Sequence, residues 1–171
     1  MKPHTLTAAD FRRAMGQFVT GVTVVTVEHH PTSGERQVRG MTANSFTSVS
    51  LKPPLVLVCV DERAKILPLL RKSRRFGVSV LTPEQEALSE YFASGEQSRV
   101  RESRLDIRYL WTDSGIPVIE NTLAQFACRV AATHAAGDHT IFVGEVESAS
   151  LRTGEPLLFF RGKYRRVSGE S

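Results

Sequence analysis

A series of short segments that favour β-strands is the feature that most constrains the fold of this chain. Residues 22–27 are β-branched throughout, which favours a strand over a helix. Phe76, Val78 and Val80 alternate with smaller residues, the period of a strand that buries one face. Similar reasoning predicts further strands, at residues 37–42, 55–60, 126–130, 141–147, 157–160 and 164–167. Several antiparallel strands with few helices indicate a β-barrel or a sandwich with helical additions.

Three helices are predicted around these strands. Thr7 can cap the first helix, and Asp10 follows three residues later, near the positive end of the helix dipole. One face of this helix is apolar, with Phe11, Ala14, Met15 and Phe18. Residues 67–73 and 82–93 form the other two, each with a proline in its first turn. Residues 94–106 are polar and lack an apolar stripe, so we expect a loop there.

The length of the chain predicts one domain. At roughly 100–200 residues per domain, 171 residues form a single unit over residues 1–171. No apolar run approaches the roughly 20 residues that span a bilayer, and residues 1–13 lack the apolar core of a signal peptide. Cys59 and Cys128 lie among apolar residues, which indicates reduced, buried thiols. We therefore expect a cytoplasmic protein without membrane association.

The familiar catalytic motifs are absent. The sequence has no Gly-x-Gly-x-x-Gly dinucleotide fingerprint, no phosphate-binding Gly-Lys-Ser/Thr loop and no Gly-x-Ser-x-Gly elbow. Its five histidines lack the helical spacing and the cysteine pairing of structural metal sites. We therefore expect no bound metal and no separate nucleotide-binding domain.

Basic residues are concentrated in two clusters, residues 71–75 and 161–166, and the net charge is +4. Such clusters can bind an anionic ligand. They can equally be solvated surface, or stabilise the last turn of a helix. No nucleic-acid motif accompanies them, so we expect no nucleic-acid partner. A phosphorylated small molecule stays a candidate ligand of these clusters.

Small hydroxyl and amide side chains surround one aromatic residue in the segment from Gly40 to Pro54. Small residues let a planar ligand approach the backbone, whose N–H and C=O groups can then bind its polar edge. The same composition is also typical of an ordinary loop with local side-chain caps. The residues alone leave both interpretations open.

A second segment, Gly137-Asp138-His139-Thr140, lies at the predicted turn between two strands. A Gly-Asp turn before a strand is ordinary turn chemistry. An imidazole at the rim of a barrel can also hydrogen-bond or stack on a ligand, and it titrates near neutral pH.

In this order, the two segments resemble the short-chain flavin reductases of the FMN-binding split-barrel class. These are the NAD(P)H-dependent reductase components of two-component flavin-diffusible monooxygenases. The likeness covers nearly the whole chain. It rests on collinear matches at residues 18–26, 41–51, 76–81, 91–93, 137–146 and 156–158.

The resemblance implies a mainly β fold, an FMN-binding split β-barrel of Greek-key antiparallel strands with a few peripheral helices. It also implies a homodimer with flavin near the dimer interface. The expected activity is hydride transfer from NADH or NADPH to FMN or FAD, with diffusible reduced flavin supplied to a partner monooxygenase.

The resemblance also implies the site residues. Those expected against the flavin ring and ribityl chain are Met41, Thr42, Ala43, Asn44, Ser45, Phe46, Ser48, Val49, Ser50, Cys59, Val60 and Asp61. Ala64 and Lys65 are expected near the phosphate, where an ammonium is an effective point charge. Phe92 and Ala93 are expected to close over the flavin.

The nicotinamide side of the site is implied in the same way. His139, in the turn Gly137-Asp138-His139, is expected beside the nicotinamide. We assign it a positioning role, and proton donation stays open. The residues expected to help hold the pyridine nucleotide are Arg161, Gly162, Lys163 and Tyr164.

Two departures from the family pattern limit how far the family's site residues can be assigned to this chain. Ser79 stands where asparagine is common, and Ala64-Lys65-Ile66 stands where the family has hydroxyl residues. The second departure leaves the choice between FMN and FAD open. The alternative function is a split-barrel flavoprotein that retains its flavin, either as a non-enzymatic binding module or as the reductase of a dedicated small-molecule substrate.

Overall fold

The computed structural model describes residues 6–31 and 34–167. Its helices are α1 Ala8–Met15, α2 Leu67–Ser73, α3 Glu86–Ala93 and α4 Arg99–Arg104. Its strands are β1 Thr20–Gly21, β2 Thr23–His29, β3 Gln37–Ala43, β4 Phe46–Leu51, β5 Pro54–Asp61, β6 Arg75–Val80, β7 Tyr109–Trp111, β8 Pro117–Ile119, β9 Ala124–Ala136, β10 His139–Leu151, β11 Leu158–Phe160 and β12 Lys163–Arg165.

One antiparallel sheet of seven strands dominates the fold, in the order β3-β2-β6-β9-β10-β5-β4. Strands β3 and β4 are its two edges, yet only Asn44 and Ser45 separate them in the chain. The two edges must therefore approach each other at this turn, so the sheet curls on itself. The prediction of a mainly β, antiparallel fold with few helices is confirmed. A three-stranded sheet, β1-β11-β12, and the pair β7-β8 complete the described strands.

The inner face of the curled sheet holds the main core. Val56, Val58 and Val60 of β5 point inward and are almost fully buried, whereas the residues between them are only half buried. The first five residues of β2 are all buried, which explains the unbroken β-branched run, because a strand covered on both faces needs no polar alternation. A second cluster of buried residues packs α3 against the sheet, with Tyr91 and Phe92 among its largest members.

Local signals placed several elements correctly. The Thr7–Asp10 capping box is present at the start of α1, and α2 spans the predicted residues 67–73. The third helix begins as a 3-10 turn, Pro83–Gln85, before α3. Helix α1 ends at Met15, earlier than its apolar pattern suggests, with Gly16 as its C-cap. None of its residues is buried, so its apolar face is uncovered within the single chain.

The structure differs from the sequence-based expectations at three places. Residues 46–51, where the residues alone left a ligand-binding segment and an ordinary loop both open, form an edge strand that pairs with β5. The predicted loop 94–106 contains α4, which Ser98 caps by accepting a hydrogen bond from the Arg101 amide at 3.3 Å. The short pair β7 and β8 was not predicted.

Cys59 and Cys128 are free thiols, the first half-buried and the second buried. Burial raises the pKa of both, that of Cys128 to about 12. In the part of the chain that the structure describes, no helix is long and apolar enough to cross a membrane.

Candidate functional site

The site begins at the turn between β3 and β4, which Ser45 fixes to β5. Pairing of β4 with β5 ends at Phe46 and Val58. Beyond that pair, the Ser45 hydroxyl donates to the Cys59 carbonyl at 3.1 Å and accepts from the Cys59 amide at 3.2 Å. One side chain thus continues the hydrogen bonding of the ladder by one more residue.

The strand that leads into this turn is held from two other directions. The Thr42 hydroxyl donates to the Ser89 carbonyl of α3 at 2.6 Å. The buried Thr23 hydroxyl donates to the Ala43 carbonyl at 2.7 Å. Hydroxyl residues here therefore connect strands and helix, which gives a rigid corner for a ligand to bind against.

A cavity of about 600 Å³ opens at this turn, and we call it the corner cavity. Its lining combines aromatic and aliphatic side chains with a few polar groups. The lining residues are Arg12, Met15, Gly16, Phe18, Thr20, Asn44, Ser45, Phe46, Thr47, Leu57, Cys59, Phe159, Arg161 and Gly162. The site residues expected from the sequence that it brings together are Asn44, Ser45, Phe46, Cys59, Arg161 and Gly162.

A second cavity of about 480 Å³, the lysine cavity, lies beside the start of α2 and the end of α3. The expected site residues that line it are Met41, Asp61, Ala64, Lys65, Phe92 and Ala93. Arg39, Arg63 and Gln97 also line it. The Lys65 ammonium donates to the Gly95 carbonyl at 3.3 Å. The cavity therefore contains the cations that a phosphate group requires.

The outer face of β5 connects the two cavities. Leu57 and Cys59 line the corner cavity, and Asp61 lines the lysine cavity. Alternate residues of a strand share a face and lie about 7 Å apart. A ligand that lies along this face can therefore place one end in each cavity.

The Asp61 carboxylate is bound by Arg63. Its oxygens accept from the Arg63 Nε at 3.0 Å, from Nη2 at 2.8 Å and from the Arg63 amide at 2.8 Å. These hydrogen bonds hold the pKa of Asp61 well below its usual range, so the group stays charged. Arg63 therefore neutralises the Asp61 carboxylate at the lysine cavity.

His139 lies on the same face of the sheet as Asp61. The two residues are cross-strand partners in β10 and β5, and side chains opposite one another project from the same face. The His139 Nδ1 lies 2.7 Å from the Asp138 Oδ1, and this contact lowers the pKa of Asp138. Because a carboxylate only accepts hydrogen bonds, Nδ1 carries the proton and Nε2 is left for another partner.

Two contacts fix the turn that carries His139. The Glu62 amide donates to the Asp138 carbonyl at 3.0 Å. The Glu62 carboxylate accepts hydrogen bonds from the Thr140 hydroxyl and from Arg71. The turn is therefore tied to the end of β5, beside the lysine cavity.

Arg161 and Gly162 form a tight turn with positive φ values of 49° and 74°. The Arg161 guanidinium donates to the Gln17 side-chain oxygen at 2.6 and 3.0 Å and lies 4.9 Å from the Phe160 ring centroid.

The Tyr164 hydroxyl and the Ser89 hydroxyl are 2.8 Å apart. Of the four residues expected to hold the pyridine nucleotide, Lys163 and Tyr164 line neither cavity.

Several other expected residues also lie outside both cavities. Ser48, Val49 and Ser50 are on the exposed edge strand β4, at an irregularity in its pairing with β5. Val60 is fully buried in the core, so its side chain is not available to a ligand on the outer face. The hairpin tip Gly137-Asp138 is exposed.

The cavities also contain residues that the sequence reasoning missed. Phe18, Leu57 and Phe159 line the corner cavity, and Arg39 and Gln97 line the lysine cavity. Phe18 begins the matched segment 18–26, Phe159 follows the segment 156–158, and Arg39 directly precedes the segment that begins at Gly40. The apolar pattern of the first helix and the match at residues 18–26 both include Phe18, but neither assigned it to the site.

The residues present fit a flavin. A planar ring system requires a flat apolar surface with polar groups at its edge, which the corner cavity provides through Phe18, Phe46 and Asn44. A phosphate requires cations, which the lysine cavity provides. Among the described residues, no group of three or more His, Cys, Asp or Glu side chains is arranged to hold a metal ion.

Comparison with known proteins identifies related chains. The family model described as "Flavin reductase like domain" matches residues 15–168. An NADH-dependent flavin reductase of Rhodococcus is 42% identical over 162 residues, 95% of this chain and 88% of the relative. The FMN reductase (NADH) SmoA of Agrobacterium fabrum is 46% identical over 158 residues, 92% and 85% of the two chains. The reductase component of a 4-hydroxyphenylacetate 3-monooxygenase of Thermus thermophilus is 41% identical over 160 residues, 92% and 95% of the two chains.

Solved structures of flavin reductases also resemble this chain. The native flavin reductase PheA2 superposes with a TM-score of 0.85 at 42% identity, covering 96% of this chain and all of the other. The Streptomyces globisporus NADH:FAD oxidoreductase SgcE6, in complex with NAD and FAD fragments, superposes with a TM-score of 0.84 at 38% identity, covering 98% and 99% of the two chains.

Proposed function

This chain belongs to the flavin reductase family, and on that basis we propose that it transfers a hydride from NADH to a flavin, FMN or FAD. Its relatives are named NADH-dependent flavin, FMN and FAD reductases. The family model covers most of the chain, so we treat residues 1–171 as one flavin reductase unit.

The observation that carries this proposal is the pair of cavities joined along the outer face of β5. The apolar corner cavity has the character required by a flavin ring, and the lysine cavity has the charge required by its phosphate. Lys65 and Arg39 supply that charge. With the edges β3 and β4 meeting at Asn44–Ser45, this arrangement supports the interpretation as a split barrel.

The flavin and the nicotinamide supply the hydride donor and acceptor when they are bound. The chain has to hold the two partners in contact and keep water from the reacting atoms. Ser45, Thr42 and Thr23 keep the corner rigid through their hydrogen bonds. Cys59 takes no part as a nucleophile, because the raised pKa of its thiol keeps it protonated at neutral pH.

His139 is our candidate for positioning the nicotinamide. Asp138 fixes its tautomer, and Glu62 fixes the turn beneath it. The Nε2 atom is therefore the ring nitrogen that is available to hydrogen-bond to the nicotinamide. Arg161, at the corner cavity, is the candidate for an anionic group of the pyridine nucleotide.

A homodimer is part of the proposal. Phe11, Met15 and Phe18 are 54%, 53% and 69% exposed, and Met15 and Phe18 line the corner cavity. A second copy packed on this face would remove the apolar surface from water and would complete the wall of the cavity.

Release of reduced flavin to a separate monooxygenase is the final part of the proposal. It is supported by relatives that are named as reductase components or subunits of monooxygenases. Both cavities are open to solvent, so a bound flavin can leave the protein.

The test is a steady-state assay of the purified chain with each combination of FMN or FAD and NADH or NADPH. We expect NADH consumption that depends on added flavin. Absence of turnover with every combination would refute the activity. Gel filtration after flavin loading separates diffusible flavin from a retained prosthetic group, since only diffusible flavin is lost on dilution.

A further inference from the structure

A third cavity, of about 480 Å³, is lined by the first residues of β3, by residues of α4 and by β7. We call it the tryptophan cavity, after Trp111 of β7. The Arg36 guanidinium stacks over the Trp111 ring at 3.3 Å from its centroid. Tyr109 and Ile107 add further apolar surface. The volume lies within the range of small-molecule sites, roughly 300–1,000 Å³.

The tryptophan cavity and the lysine cavity share two walls, Arg39 and Gln97. The Gln97 side chain bonds to both polar groups of Gly40, accepting from its amide at 3.0 Å and donating to its carbonyl at 2.6 Å. This double contact holds the segment before α4 against β3. The boundary between the two cavities is therefore fixed, and Arg39 reaches both.

Of the two arginines that line the tryptophan cavity, Arg36 is ion-paired with Glu28, so Arg39 is the cation that can face an anionic ligand. Within the described residues, no hydrogen bond or ion pair of the Arg39 guanidinium is found. The carboxylate of Glu102 accepts hydrogen bonds from the Tyr91 and Tyr109 hydroxyls, at 3.0 and 3.3 Å. That carboxylate is therefore held by uncharged donors, whereas Arg39 on the shared wall has no charged partner among the residues that the structure describes.

We propose that the tryptophan cavity binds the adenylate half of FAD. This proposal rests on the assignment of the lysine cavity to the flavin phosphate. FAD differs from FMN by an adenylate joined to that phosphate, so the added group must leave the lysine cavity through one of its walls. The wall at Arg39 leads to an aromatic surface, where the adenine stacks on the Arg36–Trp111 pair while Arg39 faces the diphosphate.

The inference makes Arg36 and Trp111 determinants of specificity for FAD over FMN. The guanidinium plane of arginine stacks on aromatic rings, whereas the ammonium of lysine is a compact point charge. The variant Arg36→Lys therefore keeps the charge and removes the stacking surface. Trp111→Leu keeps an apolar side chain and removes the aromatic plane.

The test measures the Kd of FAD and of FMN for the whole chain, by fluorescence titration in the absence of NADH. For Arg36→Lys and Trp111→Leu we expect FAD affinity to fall roughly tenfold, the scale of one stacking contact. FMN affinity should change by less than about twofold, and its retention shows that the variants are folded. Arg152→Gln is the matched control, because Arg152 lines a different cavity and bonds to the Asn121 side chain at 3.0 Å.

Equal losses for FAD and FMN, or no loss for FAD in either variant, would overturn the adenylate site and leave the proposed flavin reductase activity intact. If the unaltered chain binds neither flavin, the flavin assignment itself is wrong and the adenylate site fails with it. Selective loss of FAD affinity in both variants supports the site.

Discussion

His139 and Asp61 are cross-strand partners at the ends of β10 and β5, which places the imidazole on the outer face of the sheet that connects the corner cavity and the lysine cavity. Asp138 binds the Nδ1 atom of that imidazole at 2.7 Å, while Arg63 binds the Asp61 carboxylate. Each carboxylate near His139 thus has its own partner, and the ring is held in one orientation.

Replacement of the imidazole should separate binding from hydride transfer. In His139→Ala we expect the rate of flavin reduction by NADH to fall by roughly 10²-fold, the effect of losing reactant alignment. Flavin affinity should change little. Stopped-flow absorbance gives the rate and flavin titration gives the Kd. Parallel losses in both quantities would contradict a positioning role. Asp138→Asn keeps a side-chain acceptor and should have the smaller effect.

Lys65 should contribute to affinity only when the flavin carries a phosphate. A hydrogen bond to a charged group stabilises by about 1.5–3 kcal/mol, so Lys65→Ala should weaken FMN binding by roughly 10- to 100-fold. Riboflavin affinity should stay the same. Isothermal titration with both ligands makes the comparison, and Lys72→Ala, an exposed position on α2, is the control. A similar loss for riboflavin would remove Lys65 from the phosphate site.

The exposed apolar surface of α1 and of the segment that follows it should control assembly. Phe18 is 69% exposed in the single chain, so Phe18→Ser should leave the free energy of unfolding of a protomer nearly unchanged. We expect the variant to elute as a monomer in light-scattering chromatography and to bind flavin more weakly. Val167→Ser changes an apolar residue that is 48% exposed elsewhere and should remain dimeric. A dimeric Phe18→Ser protein would place the interface on another face.

Gly77 permits the closest backbone approach in β6. A Cβ atom at this position would lie 2.2 Å from the Pro117 carbonyl oxygen and 2.6 Å from the Thr26 hydroxyl. Gly77→Ala should therefore lower the free energy of unfolding by about 1–3 kcal/mol or more. At Gly21 a Cβ atom meets nothing within 4 Å, so Gly21→Ala is the control. Urea denaturation of both variants distinguishes crowding at Gly77 from a general effect of removing a glycine.

Tyr91 should make stability dependent on pH in the alkaline range. Burial, and secondarily the nearby Glu102 carboxylate, raise its pKa from 10.0 to about 12. The folded state therefore retains a proton that the unfolded chain loses. The associated stability is fully present below pH 10 and is lost as the pH rises towards 12. Urea midpoints should fall less steeply with pH in Tyr91→Phe than in the unaltered chain. Identical slopes would contradict the raised pKa.

Elements with strong local signals could be predicted from the sequence. A capping box set the start of α1, a first-turn proline favoured α2, and β-branched runs indicated the strands at the centre of the sheet. These signals act over a few residues, so no tertiary contact is needed to recognise them. The recognised segments 41–51 and 137–146 contain the turn at Asn44–Ser45 between the two sheet edges and the first residues of β10.

Other features were decided by contacts between distant residues. Residues 46–51 are a strand because β5 lies beside them, and their polar composition resembles a loop when read alone. The segment 94–106 contains α4, whose Glu102 is held by Tyr91 and Tyr109. Neither contact leaves a periodic pattern in the segment itself, so local reasoning predicted a loop at residues 94–106 and did not identify the strand at residues 46–51.

The sequence by itself determined a mainly β chain, because strand preference is a local property, and its resemblance to a known family indicated the segments that form the corner and their principal polar groups. Only the tertiary structure decided that Phe18 and Phe159 line the corner cavity, that Arg39 and Gln97 separate the other two cavities, and that His139 faces Asp61. These relationships depend on how the curled sheet brings its two edges together, and they therefore arise from packing across the whole fold rather than from any one segment.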